Sequence, residues 1–583
     1  MNIKLFLFFD YIKINLFLLF VGLSYLIEAQ NLIPDKFHFQ YPLSEPLFVS
    51  GTFGELRRNH FHSGIDFSGK GKEGQKVFAV ADGYVSRILV SSRGYGKTLY
   101  VTHANGLVSV YGHLKGFNKT IDNYVKNEQY AKQSFYVNIY PEKLKLPVKK
   151  GEVIGYLGNT GNSTGPHLHF EFREEITEQV INPQLFNFNI IDDKPPIIEA
   201  IRIIPLDENT LINGKNEAIT IKIHNKKNNN IIIINDVPIV SGKVALGIKV
   251  YDFNNTINSR TGVYKLSVWL DTILFYQHVM NKFSFDETRY INDLIDYPEY
   301  RKGNGRYIIT RVSPGNKLNI YTQLYNKGVF IFDKNQKYKI KFKVEDFNQN
   351  SSYLELYIKG SPLNNKNFQN NINACKNTFY FNDTSYFKND FVELTVLPGT
   401  LYDDICFTYS KKNKPSWAFS SIHSIHNPDV PLHYNYKLSI KPENLPSNLQ
   451  KKALIAYVIG KNKLKSLGGI YDNGMITTNV SEFGDFVIVV DTVSPIIEPI
   501  NIHNDKDVSS QTTIDFKIKD DLSGIKSYNA YINDVWVLME YDEKNNLLVY
   551  NFDDNILPGI NTFLLEVIDN CNNISVFEAN ILY

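Results

Sequence analysis

The stretch Gly158-Asn159-Thr160-Gly161-Asn162-Ser163-Thr164-Gly165-Pro166-His167-Leu168-His169-Phe170-Glu171 changes character at Pro166, where a glycine-rich loop gives way to strict alternation. On an extended backbone, residues two apart share a face. His167, His169 and Glu171 therefore lie on one side, and Leu168, Phe170 and Phe172 on the other. The apolar side reads as core, and the polar side must meet solvent or form a site. Outward from this strand, residues 77–81, 84–90, 98–103, 107–114 and 153–157 repeat the pattern of short strands between Gly and Asn turns, which predicts a compact antiparallel sheet or small barrel over 40–190. One interruption, 116–147, places Phe117, Ile121, Tyr124 and Val125 at helical spacing and predicts a helix followed by an extended return. Structureless loops of this length are uncommon unless they have a function, and this one leaves beside His113, so it is expected to overhang a cleft and restrict substrates.

Two further motifs join the first. In His62-Ser63-Gly64-Ile65-Asp66, alternation points His62 and Asp66 the same way, with Gly64 expected to leave open space between them. In Tyr111-Gly112-His113-Leu114 the same rule puts Ser109, Tyr111 and His113 on one face, and Val108, Val110 and Leu114 on the other. Two imidazoles and a carboxylate can supply three zinc ligands and leave a fourth position for water, the pattern of a catalytic rather than a structural site. Three cysteines cannot make a closed four-thiolate site, and no His-Glu-x-x-His helix is present. A His-x-His pair alone is a weak signal; paired with His-x-x-x-Asp it is much stronger.

With Val80-Ala81-Asp82-Gly83-Tyr84-Val85 and Val148-Lys149-Lys150-Gly151-Glu152-Val153-Ile154-Gly155, these motifs resemble the lysostaphin/LytM-type zinc metallopeptidases, peptidase family M23, over residues 45–190. The resemblance implies that His62, Asp66 and His169 bind one Zn²⁺ per chain and that His113 and His167 are the catalytic histidines. It implies hydrolysis of the peptide cross-links of bacterial peptidoglycan, with the peptide stems as partner. Glycyl-glycine and D-alanyl cross-links both occur among the family's substrates, and the motifs do not choose between them. Either catalytic imidazole, neutral near pH 7, can take a proton from water and return it to the leaving amine. Asn159, Ser163 and Thr164 shape the turn before His167 and are the candidate substrate contacts. Glu171 is expected either to orient a ligand imidazole or to form a surface salt bridge. His60 and His103 read as ordinary strand histidines, with lining of the cleft as the alternative, and Arg57 and Arg58 as a solvated loop by default, able to meet a substrate carboxylate. The alternative is a catalytically silent member that binds wall or activates another murein hydrolase; silent members lack one or more of the five positions, which are all present here.

Composition sets the wider frame. A chain of 583 residues is too long for one core, and 43% hydrophobic residues exclude a disordered chain. A net charge of +2 gives no electrostatic case for nucleic acid. Residues 1–29 carry an apolar run over 14–27, broken by Asn15 and too short for a comfortable membrane span, and read as a secretory signal peptide ending near Ala29, with an uncleaved anchor as the alternative. No later segment reads as transmembrane. Cys375–Cys406 is the most plausible disulfide, with Cys571 left over. These features predict an exported protein of the periplasm or cell envelope.

Beyond 190 the chain is strand-patterned and repeats itself. Pro196-Ile197-Ile198-Glu199 recurs as Pro495-Ile496-Ile497-Glu498, each four residues after an Asp, Asp192 or Asp491. Asp252 followed by Gly262-Val263 is echoed by Asp520 and Asp521 followed by Gly524-Ile525. Val344-Glu345-Asp346 ending at Asn350 matches Val567-Ile568-Asp569 ending at Asn573. Three markers in one order predict two copies of one β unit. The fold class is therefore mainly β: an M23 peptidase domain at 40–190, an immunoglobulin-like sandwich with an insertion at 191–360, a β-rich domain at 361–490 and a second immunoglobulin-like sandwich at 491–583. The sandwiches serve as spacers or packing partners and offer a surface to a cell-envelope protein.

Overall fold

The structure, a computed structural model, describes residues 38–583 except 187, 189, 224–230, 256, 363–374 and 461–462. The expected signal peptide lies outside the described residues. The protein is mainly β throughout, and no helix among the described residues is long and apolar enough to cross a membrane.

The alternating segments form the expected sheet. Its strands are β1 (Val49–Gly51), β2 (Ile65–Ser68), β3 (Gly83–Val90), β4 (Lys97–Thr102), β5 (Leu107–Leu114), β6 (Val137–Ile139) and β7 (His167–Glu174), in the spatial order β1-β2-β7-β5-β4-β3-β6. Every neighbouring pair is antiparallel. Leu168, Phe170 and Phe172 are wholly buried, as the alternation requires. Each buried side chain of this size contributes roughly 1.5–3 kcal/mol. Phe170 meets Tyr111 edge-on at 5.4 Å.

The interruption at 116–147 contains α1 (Lys119–Lys132). The Asn118 side chain caps α1 by accepting the Ile121 amide at 3.0 Å, and Gln133 ends it in a left-handed conformation. Ile121, Val125 and Gln129, four apart, form its buried stripe. The extended return supplies β6, which pairs with β3 at the sheet edge remote from β2 and β7. The expected overhang finds no support in the contacts of this segment: among the described residues, α1 makes no hydrogen bond or ring contact with His62, Asp66, His113, His167 or His169. It faces the last β unit instead, where Tyr130 bonds the Asp553 carboxylate and meets the Trp536 ring at 5.4 Å.

The sequence repeat is a structural repeat. Ile197–Pro205 pairs with Ile239–Phe253 as Ile496–Pro499 pairs with Thr513–Lys519. Lys265–Leu270 pairs with Lys337–Glu345 as Ile525–Ile532 pairs with Ile560–Asp569, and each of these ends in a hairpin. The side-chain bonds repeat as well. Asn350 Nδ2 donates to the Asp192 carbonyl at 3.0 Å and Asn573 Nδ2 to the Asp491 carbonyl at 3.1 Å. Between the copies, two five-stranded sheets share one core that includes Leu394, Leu438, Ile455 and Ile488. Cys375 and Cys406 form a disulfide there, and Cys571 is a buried free thiol.

Both copies touch the first domain. Val180–Ile181 pairs with Lys282–Phe283 of the first copy, and Asn254 Nδ2 donates to the Val49 carbonyl at 2.9 Å. On the other flank, Lys97 pairs with Glu540 at 2.8 Å and Arg93 with Glu543.

Candidate metal and catalytic centre

Register brings the site together. Asp66 on β2 stands directly opposite His169 on β7, so both side chains project from the same face. His62 precedes β2 and is held by two backbone bonds, its amide to the Glu55 carbonyl and its carbonyl from the Gly54 amide. The three donor atoms form a tight triangle. His62 Nε2 lies 2.9 Å from Asp66 Oδ1 and 3.0 Å from His169 Nδ1, and His169 Nδ1 lies 2.9 Å from Asp66 Oδ1. Ligands placed ~2.0–2.1 Å from a tetrahedral zinc would stand ~3.3 Å apart, so the set needs only a slight expansion to accept one. All three residues are buried.

The remaining nitrogen of each imidazole is tied down. His62 Nδ1–H donates to the Thr52 carbonyl at 2.8 Å and His169 Nε2–H to Glu171 Oε1 at 2.7 Å. Each bond fixes the tautomer that turns a lone pair toward the triangle. Glu171 is fully buried, so it is not a surface salt bridge. Burial opposes its charge, but Arg173, His169 and Ser63 overcome that and hold the carboxyl far below the usual range. Burial likewise opposes the Asp66 charge, while His62, His169 and Arg57 hold it well below its ordinary value. Burial lowers His62 to about 4.

His113 reaches this face by a route that simple alternation does not give. Gly112 lies opposite His169 and Tyr111 opposite Phe170, so Tyr111 belongs to the core face with its hydroxyl accepting from the Ser109 hydroxyl and the Val80 amide. The placement of Ser109 and Tyr111 beside His113 is therefore corrected. Between Tyr111 and Leu114 two residues face the single Thr98 of β4, and this bulge, with His113 at φ +59°, swings the imidazole back to the metal side. Holding a non-glycine residue in that region costs of order 1–3 kcal/mol. The Gly64 expectation is also corrected. A Cβ there would stand 2.2 Å from the Phe170 carbonyl oxygen, so glycine permits close backbone approach rather than open space.

His113 and His167 face each other with ring centroids 4.7 Å apart. Their Nδ1–H groups donate to the carbonyls of Thr160 and Gly165, each at 2.8 Å. A carbonyl can only accept, so both rings carry the proton on Nδ1 and keep Nε2 as the basic atom. His167 Nε2 is 3.6 Å from Asp66 Oδ1. Burial lowers both histidines, His113 to about 3, with each neighbouring imidazole adding to the effect at His113.

A model of peptidase family M23 matches residues 60–134 and 129–183. This part of the chain belongs to family M23. The M23 domain is 35% identical over 147 residues to the DD-carboxypeptidase/endopeptidase Mpg of Neisseria meningitidis, a match covering 24% of this chain and 27% of that protein. It is 32% identical over 125 residues to the murein hydrolase activator NlpD of Escherichia coli, covering 21% and 26%. The chain thus spans about a quarter of the length of these curated relatives. The catalytic domain of the antimicrobial peptidase lysostaphin from Staphylococcus simulans aligns at 25% identity, over 23% of this chain and 87% of that one, with a TM-score of 0.18. A Zu5-like domain model matches 376–491, the central β unit.

Several residues around the M23 centre escaped the sequence reading. Arg57, expected in a solvated loop, bonds Asp66 Oδ2 at 2.6 Å, and Glu55 lies 3.6 Å from the same guanidinium. Burial raises Glu55 to about 7. Tyr95 stacks on His169 at 4.8 Å and donates to Glu171 Oε1 at 2.6 Å. The only sequence signal for it was the Gly94-Tyr95-Gly96 turn. Of the remaining histidines, His60 is exposed and bonded to its own loop, and His103 is buried between the Asp82 carbonyl and Ser109. The turn residues lie at the rim. Ser163 Oγ bonds the Gly165 carbonyl, Thr164 is exposed, and the carbonyls of Asn159 and Ser163 accept Lys544 of the last β unit.

Proposed function

We propose that the protein is an exported zinc endopeptidase that hydrolyses peptide cross-links of bacterial peptidoglycan. The observation that carries this is the arrangement of five side chains: a buried His62–Asp66–His169 triangle with two histidines beside it, His167 Nε2 at 3.6 Å from Asp66 Oδ1 and the His113 ring 6.0 Å from that of His169. His62, Asp66 and His169 would hold the zinc, and the second bonds from Thr52 and Glu171 support that role. A zinc ion there supplies Lewis acidity, polarising a carbonyl and lowering the pKa of a water to about 7.

The chain's own residues do the rest. The Nε2 of His167 or His113 accepts a proton from the attacking water and delivers it to the leaving amine, a contribution of ~10²–10⁴-fold. The imidazole not used as base accepts a hydrogen bond from the attacking water at its own Nε2 and orients it. Their depressed pKa values keep both neutral at pH 7, the form a base requires. Arg57 fixes the Asp66 carboxylate through its other oxygen. Asn159, Ser163 and Thr164 frame the rim where a peptide stem would pass.

The name of the Neisseria relative favours D-alanyl cross-links as the bond cut. A disulfide and the reading of 1–29 as a signal peptide support export to an oxidising envelope. The likeness to a murein hydrolase activator keeps a silent, wall-binding role as the second reading. Purified sacculi incubated with the intact protein, with and without zinc, decide between them. Mass spectrometry showing zinc-dependent release of uncross-linked peptides supports the enzyme, and tight binding to sacculi with no new peptides overturns it.

A further inference from the structure

The joint between the M23 domain and the first β unit contains a second group of potential ligands. One carboxylate oxygen each from Asp192, Asp252 and Asp346 lies within 4.8 Å of the others. Asp252 and Asp346 are 3% and 4% exposed. No lysine or arginine among the described residues forms an ion pair with any of the three; the nearby Lys194 ammonium donates instead to the Asn254 carbonyl at 3.0 Å. Most telling is Asp252 Oδ1, which is buried and has no hydrogen-bond partner. An anionic oxygen left in this way is costly, and burial with the two neighbouring aspartates raises the Asp252 carboxyl to about 8; a cation in the same place would relieve that cost.

The internal repeat explains how this oxygen lost its partner. In the last β unit the equivalent residues Asp491, Asp520 and Asp569 cluster in the same way. There the carboxylates are served by amides: Ser523 to Asp491 at 3.0 Å, Gly524 to Asp520 at 2.6 Å, and Cys571 and Asn573 to Asp569, both at 2.8 Å. Gly262 is the counterpart of Gly524, but its amide donates to the Thr52 hydroxyl of the M23 domain at 3.0 Å. Docking the two units has taken the donor away from Asp252. A cavity of about 20 Å³ remains between them, lined by the three aspartates with Thr52, Asn182 and Tyr264. That is space for one ion or one water.

We propose that Asp192, Asp252 and Asp346 bind a calcium ion that clamps the M23 domain to the first β unit. The ligand set is all oxygen, which suits a hard cation and not zinc. Calcium accepts irregular carboxylate cages at 2.3–2.6 Å, whereas magnesium holds to octahedral geometry and keeps several waters, for which this cavity has little room. The ion would balance the charge of two of the three carboxylates, among them the buried Asp252 and Asp346. It would also brace Thr52, whose carbonyl holds the His62 ring. The site stands whether or not the M23 domain is an active peptidase.

The test uses the intact, zinc-loaded protein freed of calcium on a chelating resin and then resupplied with zinc. Calorimetric titration with CaCl₂ is expected to show one ion per chain with a Kd between about 10⁻⁵ and 10⁻³ M and a rise in Tm of several degrees. Asp252→Asn relieves the repulsion, so without calcium it should melt at or above wild type, yet lose the calcium-dependent rise and at least about tenfold in affinity. Asp192→Asn, at a half-exposed position, should lose the same response and decides the matter if Asp252→Asn does not fold. Asp520→Asn should retain it. No calcium-dependent heat or Tm shift in wild type up to about 10 mM overturns the proposal, as does unchanged binding in the variants. An equal response to MgCl₂ overturns the assignment to calcium.

Discussion

The fully buried Glu171 carboxylate accepts the Nε2–H of His169 at 2.7 Å while Tyr95 and Ser63 bond the same oxygen. This leaves His169 Nδ1 no freedom to turn from Asp66. Glu171→Gln should therefore weaken zinc affinity about 10–100-fold, as loss of such an orienting carboxylate generally does, and activity should return when zinc is raised. Competition with a chromophoric chelator measures the affinity. An unchanged value would mean that stacking on Tyr95 alone holds the ring.

His113 and Asp66 should separate binding from turnover. His113→Ala removes a side chain that is not in the ligand triangle, so zinc stoichiometry should stay near wild type while cleavage falls by at least about 100-fold. Asp66→Ala should lose both metal and activity. Metal analysis of the two purified variants is the check, and zinc loss in His113→Ala would show His113 to be a ligand.

Tyr130 anchors α1 to the last β unit through Asp553 and Trp536. Tyr130→Ala should loosen that contact, raising amide exchange over 536–553 and lowering the first thermal transition by roughly 2–4 °C, with zinc content unchanged. Exchange that stays as in wild type would assign the anchoring to the Lys97–Glu540 and Arg93–Glu543 pairs.

Acid should destabilise the central β unit. Burial lowers His423, His426 and His433 each to about 4, against about 6.5 in an unfolded chain. Between these values the unfolded chain binds more protons than the folded one, so the stabilisation is complete above about pH 6.5 and is lost as pH falls toward 4. Thermal melts of the intact protein from pH 7 to pH 4.5 should show the transition of this unit moving down. His423→Gln, which can still accept the Tyr409 hydroxyl, should flatten that slope.

What the sequence disclosed was what local spacing controls. Alternation located β7 and its buried Leu168–Phe170–Phe172 face, the 3.6 period located α1, and three recurring markers located the duplicated unit. What stayed hidden depends on partners far along the chain or on a departure from regular geometry. A bulge turns His113 to the metal side, and no counting of alternate residues predicts a bulge. Arg57 and Tyr95 acquire their roles only because the strand register sets Asp66 opposite His169. The direction faced by α1 was decided by Asp553 and Trp536, more than four hundred residues later.

Thr52 serves two neighbours at once: its carbonyl accepts the His62 ring and its hydroxyl accepts the Gly262 amide of the next unit. Excising the M23 domain at its carboxyl end would thus free one side of a residue that holds the His62 ring. Assays on a trimmed domain would report a slacker machine than the one the whole chain assembles, and any force that pries the two units apart becomes, in effect, a dial on the His62 imidazole.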